Sequence, residues 1–219
     1  MGTHIVFPDV HLPALLWIPG LPLASFVLLI LFGRRLRGFG PWLSVAALAG
    51  SCTLALSLWP LVERGRAVAV SWPWVSAASS TWRMGFRVDG LSWIMLAVVT
   101  VIGTLIQVYS LGYMREDARI SRFFAYLSLF CASMLLLVLA DHFALLYIGW
   151  ELVGLCSYLL ISFWFEKPAA AAAGRKAFLT TRIGDTGLFI GIMLLLATAG
   201  ELHFNRLEAV RLQLSSQPW

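Results

Sequence analysis

Charge is what this sequence has least of. Of its 219 residues only 12% are Asp, Glu, Lys or Arg, and 60% are hydrophobic. A soluble globular domain carries about 25% charged residues, and a small soluble core cannot hide so much apolar surface. Cysteine is scarce too: Cys52, Cys131 and Cys156 each sit inside an apolar run, and none forms a CxxC pair. An odd count without ligand spacing favours packing thiols over a disulfide framework or a metal site. There is no phosphate-cradling glycine loop, no nucleophile elbow and no Cys or His cluster fit for an iron–sulfur centre. Soluble catalysis and electron transfer by the chain itself are therefore not expected. No Lys or Arg precedes Arg34, so the N-terminus lacks the basic region of a cleaved signal peptide. The first apolar run is expected to be retained.

What the sequence has in abundance is apolar length. Crossing a hydrocarbon core takes about 20 apolar residues in a helix, because lipid offers no partner to unpaired backbone groups. Six stretches qualify, at roughly 14–32, 41–61, 90–112, 122–140, 142–165 and 176–199. The reading is all-α: residues 1–219 as a single membrane domain, a polytopic integral membrane bundle of about six transmembrane helices. The stretch 62–88, with Ser71-Trp72-Pro73-Trp74, reads as a long loop lying at the membrane surface, where tryptophan is favoured. Ala169 to Ala173 reads as a linker or an extension of the sixth span. Residues 200–219 alternate leucines with charges and read as an amphipathic tail on the outer face.

The net charge of +5 comes in clusters between the spans, with no basic face, so nucleic acid is not an expected partner. Arg34, Arg35 and Arg37 follow the first span, Arg115, Arg119 and Arg122 surround the start of the fourth, and Lys167, Arg175 and Lys176 follow the fifth. The positive-inside rule then places these loops in the cytoplasm and the N-terminus outside.

Ionisable groups at membrane depth cost on the order of 2.5–3.5 kcal/mol on insertion scales and mark function or a partner. Glu151 is the foremost. It stands nine residues after His142, about 13 Å along a helix. Tyr147, Gly154, Tyr158 and Ser162 share its side of the fifth span. Low polarity penalises a charged carboxyl, which suits Glu151 to take up and release a proton. A structural glutamate bonded to a neighbouring helix is the alternative. In the sixth span Arg182 and Asp185 are three residues apart and share a face, as an ion pair that is either structural or part of a proton path. Lys176 and Arg175 lie near the span's end, where a lysine snorkels to headgroups or joins that path. Asp141 and His142 suit a tight turn, and Asp89 suits a helix N-terminus. His4, His11 and His203 carry no ligand spacing.

From Phe86 to about Phe204 the chain resembles a known family, the antiporter-like L subunit of bacterial NADH:quinone oxidoreductase (complex I; mitochondrial counterpart subunit 5). The residues that carry this are Arg122-Phe123-Phe124-Ala125-Tyr126, Val138-Leu139-Ala140-Asp141, and the run from Gly149-Trp150-Glu151 to Ser157-Tyr158-Leu159-Leu160-Ile161. Lys176-Ala177-Phe178 and Thr181-Arg182-Ile183-Gly184-Asp185 complete the set. The resemblance implies a proton-translocating membrane subunit, coupled to quinone reduction elsewhere in a multisubunit enzyme. Glu151 would then be the key carboxylate, with Arg182, Asp185 and Lys176 in its network. It implies no cofactor in this chain, with NADH, FMN, iron–sulfur clusters and quinone in other subunits. The partners implied are other membrane subunits of a complex I-type assembly, in a bacterial inner membrane. Leu152 stands where the family usually has Gly, and Gln107 where it commonly has His. Family members continue into a broken seventh helix, whose lysine modulates the glutamate, and an inverted second half. This chain reads as the N-terminal part, and the modulating charge is expected from beyond it. Related alternatives are an Mrp-type sodium/proton antiporter subunit, a membrane hydrogenase or bicarbonate-uptake complex, and a non-transporting fragment.

Overall fold

The computed structural model describes residues 12–204 and 207, apart from 34, 37, 66, 78 and 79. Lipid forces each apolar run to satisfy its own backbone, and the runs are helices. They are α1 (Leu12–Phe32), α2 (Gly40–Ser57) extended by the short α3 (Trp59–Val62), α4 (Gly90–Tyr113), α5 (Ile120–Leu139), α6 (Phe143–Ile161) and α7 (Pro168–Ala199). Six of these segments are long and apolar enough to cross a membrane. The chain is a multi-pass membrane protein. The alanine run opens α7 directly behind Pro168, whose missing N–H costs nothing in a first turn.

Local chemistry sets several ends. Asp89 caps α4, its Oδ1 accepting from the Ser92 N–H at 2.9 Å. His142 caps α6, its Nδ1 accepting from the Ala144 N–H at 3.0 Å. Gly200, at φ +67°, ends α7 in the left-handed conformation that glycine tolerates.

The stretch expected as a loop at 62–88 is instead largely an antiparallel hairpin of β1 (Val68–Ala77) and β2 (Ser80–Val88), with Val68 opposite Val88 and Trp72 opposite Met84. The molecule is mostly helical, with this hairpin added to the all-α expectation. The physical reason is a period of two. Val68, Met84, Phe86 and Val88 are buried and join the core at one end of the bundle, beside Leu58, Leu96, Leu139 and Leu145. Trp72 packs edge-on against Phe86. Register shifts between Pro73 and Val75, where proline cannot donate to a ladder.

α5 is the hub, packing against α1, α2, α4 and α6, while α7 packs chiefly on α6. Glycines permit the closest approaches. A Cβ at Gly149 would lie 2.9 Å from Leu137 Cα, and one at Gly174 would lie 2.7 Å from Ser162 Cβ. At the end opposite the hairpin the α4–α5 and α6–α7 loops are clamped together. Trp164 Nε1 donates to Asp117 Oδ2 at 2.8 Å, and Arg119 pairs with Glu166.

Candidate functional site

The seam between α6 and α7 holds the charges that the spans conceal. Both helices follow apolar runs, yet α6 turns Tyr147, Glu151, Tyr158 and Ser162 toward α7, spaced so that they share one side. Contacts along the seam fix an antiparallel register. The Tyr147 ring lies 5.6 Å from that of Phe189, the Tyr158 ring 5.2 Å from that of Phe178, and Ser162 abuts Gly174. Between the two aromatic pairs Arg182 Nη1 forms an ion pair with Glu151 Oε2. The guanidinium also lies over the Phe178 ring, 4.6 Å from its centre, a contact that favours a cation. Glu151 is the less exposed partner, its side chain 20% accessible against 37% for Arg182.

Asp185 behaves differently from the sequence expectation. Its expected partner was Arg182, but Arg182 reaches across to Glu151, and Asp185 Oδ1 accepts from Trp150 Nε1 at 2.7 Å. The reason is geometric: Asp185 faces α6 at the level of Trp150, and an indole N–H in an apolar setting needs an acceptor. Only 5% of Asp185 is exposed, on a helix that is otherwise mostly exposed. Trp150 is the partner of Asp185 that sequence reasoning missed. The signal was its place next to Glu151, with a single N–H to satisfy.

The remaining candidates spread apart. Lys176 is exposed, six residues before Arg182, or about 9 Å of helix rise. It forms no ion pair among the described residues. The Ser162 hydroxyl donates to the Tyr158 carbonyl at 2.6 Å, so the polar side of α6 does not extend through it. Gln107 is wholly buried in α4, away from the α6–α7 seam.

A second group of ionisable residues gathers at the hairpin end. Asp141, at the α5–α6 turn, faces His203 (Oδ2 to Nε2, 3.6 Å), and its N–H donates to the Gly85 carbonyl at 3.3 Å. Burial pushes the Asp141 carboxyl above the usual carboxylate range, against the pull of His203 and Arg87. His142 is held below its ordinary value of 6.5 by burial and by His203, with Glu201 opposing. His203, to which the sequence assigns nothing, ties the segment after α7 to this turn. His4, His11 and most of the expected 200–219 tail lie outside the described residues.

Comparison with known proteins identifies the family. The family described as "NADH-Ubiquinone oxidoreductase (complex I), chain 5 N-terminus" matches residues 74–124, and "NADH:quinone oxidoreductase/Mrp antiporter, TM" matches residues 140–218. The chain is 45% identical over 209 residues to NADH-quinone oxidoreductase subunit L of Mycobacterium tuberculosis, covering 93% of this chain and 32% of that one. It is 43% identical over 180 residues to F(420)H(2) dehydrogenase subunit L of Methanosarcina mazei, covering 81% and 26%. The NAD(P)H-quinone oxidoreductase chain 5 of Synechocystis is 46% identical over 148 residues, covering 68% and 22%. Among solved structures, an Mrp complex from Dietzia aligns with a TM-score of 0.72 at 26% identity, over 86% of this chain and 20% of that one. The chain spans at most about a third of the length of these curated relatives. It belongs to the family of antiporter-like L/5 subunits of NADH:quinone oxidoreductases, and it corresponds to their N-terminal portion.

Proposed function

We propose that this chain contributes to the proton path of a complex I-type NADH:quinone oxidoreductase, with Glu151 as the proton carrier. The supporting observation is the Glu151–Arg182 ion pair, set between two aromatic pairs inside otherwise apolar spans. While Arg182 lies against it, Glu151 is favoured as a carboxylate. Once Arg182 is drawn away, the low-polarity seam favours a bound proton instead. Asp185 shares the α7 face of Arg182 and is the anion toward which the guanidinium turns. In this reading Arg182 acts on Glu151 from within the chain, beside the modulating charge expected from beyond it. Lys176 serves as a second cation, nearer the start of α7.

The redox chemistry belongs to partner subunits holding NADH, FMN, iron–sulfur clusters and quinone, and other membrane subunits flank this one. The basic loops support an orientation with the N-terminus outside, and the membrane of this reading is a bacterial plasma membrane. The test is NADH-driven proton uptake by vesicles holding the assembled complex with the full-length subunit. Glu151→Gln should abolish the share of pumping that this subunit contributes, and unchanged pumping would remove Glu151 from the path. The likeness to the Mrp complex favours a second reading, sodium/proton exchange. Proton flux driven by a sodium gradient without NADH would select it.

A further inference from the structure

The four helices away from the Glu151 seam hold a second polar layer. Gln107 is 0% exposed, and neither its amide oxygen nor its amide nitrogen has a hydrogen-bond partner among the described residues. Its neighbours follow from the packing. Trp93 Nε1 donates to the Ala55 carbonyl at 2.9 Å, which sets α4 antiparallel to α2. A Cβ on Gly103 would lie 3.0 Å from Leu48 Cδ2 and 3.4 Å from the Cys131 sulfur, so Gly103 faces both α2 and α5. One turn further along α4 is Gln107. One turn back along α2 and α5 are Ser44 and Ser128, whose hydroxyls are 2.6 Å apart. Ser25 of α1 joins them, 3.4 Å from the Ser128 hydroxyl.

The hydrogen-bond count in this layer does not close on protein atoms. Three serine hydroxyls share two contacts, which leaves one O–H to donate elsewhere. Gln107 adds two N–H donors and a carbonyl acceptor. The hydroxyls of Thr100, Thr104 and Ser110 on the same helix are spent on α4's own carbonyls. Buried polar groups are rarely left unpaired, and a water molecule, with two donors and two acceptors, complements this set. We propose that the seam of α1, α2, α4 and α5 binds a buried water molecule, held between the Gln107 amide and the Ser44–Ser128 hydroxyls. This site is independent of the Glu151 proposal. It ties four helices into one register through a polar layer that apolar packing alone would not specify.

The direct test is a structure of the full-length subunit in its complex, at a resolution that shows ordered water. Density is expected about 2.7–3.2 Å from a Gln107 amide atom and from the Ser44 or Ser128 hydroxyl. A dry seam, or a Gln107 amide bonded directly to a hydroxyl or carbonyl, overturns the proposal. Thermal melting of the same complex gives an independent reading with Gln107→Met, Ser44→Ala and the double variant. A bridging water predicts that each single variant lowers the melting temperature and that the double loses less than the two losses combined. A rise with Gln107→Met, or strictly additive losses, overturns it.

Discussion

Glu151 and Arg182 hold one another, and the two charges do not contribute alike. The carboxylate is the group proposed to change protonation, while Arg182 sets the cost of each state. Arg182→Ala should lower proton pumping about tenfold, a barrier change of ~1.4 kcal/mol. Arg182→Lys, which keeps the charge without the planar fork, should retain more activity. Equal loss in both variants would mean that charge is not the relevant property. Trp150→Phe removes the indole N–H given to Asp185 while keeping an aromatic ring, though a smaller one. Leaving that buried carboxylate short of a donor costs about 1–3 kcal/mol, so the variant should melt earlier. The intramembrane charges were legible as residues, because lipid makes every charge conspicuous. Their pairing was not. Spacing along α7 put Arg182 beside Asp185, whereas the partner is decided by how α6 lies against α7.

Burial at His142 sets the sign of an expected pH dependence. It caps α6 through an unprotonated Nδ1, and burial and His203 hold it below its ordinary value of 6.5. The stability it supplies is whole above pH 6.5 and is lost as pH falls through the lowered value. His142→Asn, which caps without titrating in this range, should weaken that acid sensitivity in melting curves. An unaltered pH profile would remove His142 as its source.

At the scale of elements, the spans were legible from apolar length, whereas the hairpin was not. Alternation in Val68, Val70 and Trp72, and again in Met84, Phe86 and Val88, was the available signal. It was obscured by the tryptophans and Pro73, which equally suit an interfacial loop. Gly85 is crowded from both sides: a Cβ there would lie 2.1 Å from the Val70 carbonyl of the facing strand and 2.6 Å from Asp141 Oδ2 of the bundle. Gly85→Ala should destabilise the protein by about 1–3 kcal/mol, the usual cost of overpacking, read as an earlier melt of the purified subunit. A neutral result would mean that the hairpin shifts freely over the α5–α6 turn.

For the whole molecule, the apolar faces tell where it resides. Ile183 is 78% exposed and Leu179 64% on α7, as is Leu105 at 64% on α4. Faces of this kind suit lipid or neighbouring helices, and in water they would drive association. Buried polar side chains instead collect inside the bundle: serines with Gln107, Asp185 beside the ion-pair seam, and Asp141 with His142 at the hairpin end. Sequence composition revealed the membrane, and motif order revealed the family. Neither could reveal that the ion pair lies between α6 and α7 while the Gln107 layer lies among α1, α2, α4 and α5, because that division arises from packing.

The most direct measurement of the central claim follows the carboxyl itself. Infrared difference spectra of the working complex, taken between resting and NADH-driven states, report protonation of a buried carboxyl as a carbonyl stretch. A carbonyl band should change on turnover and disappear from the spectra of the Glu151→Gln variant. The same band persisting in that variant would contradict a proton carried by Glu151.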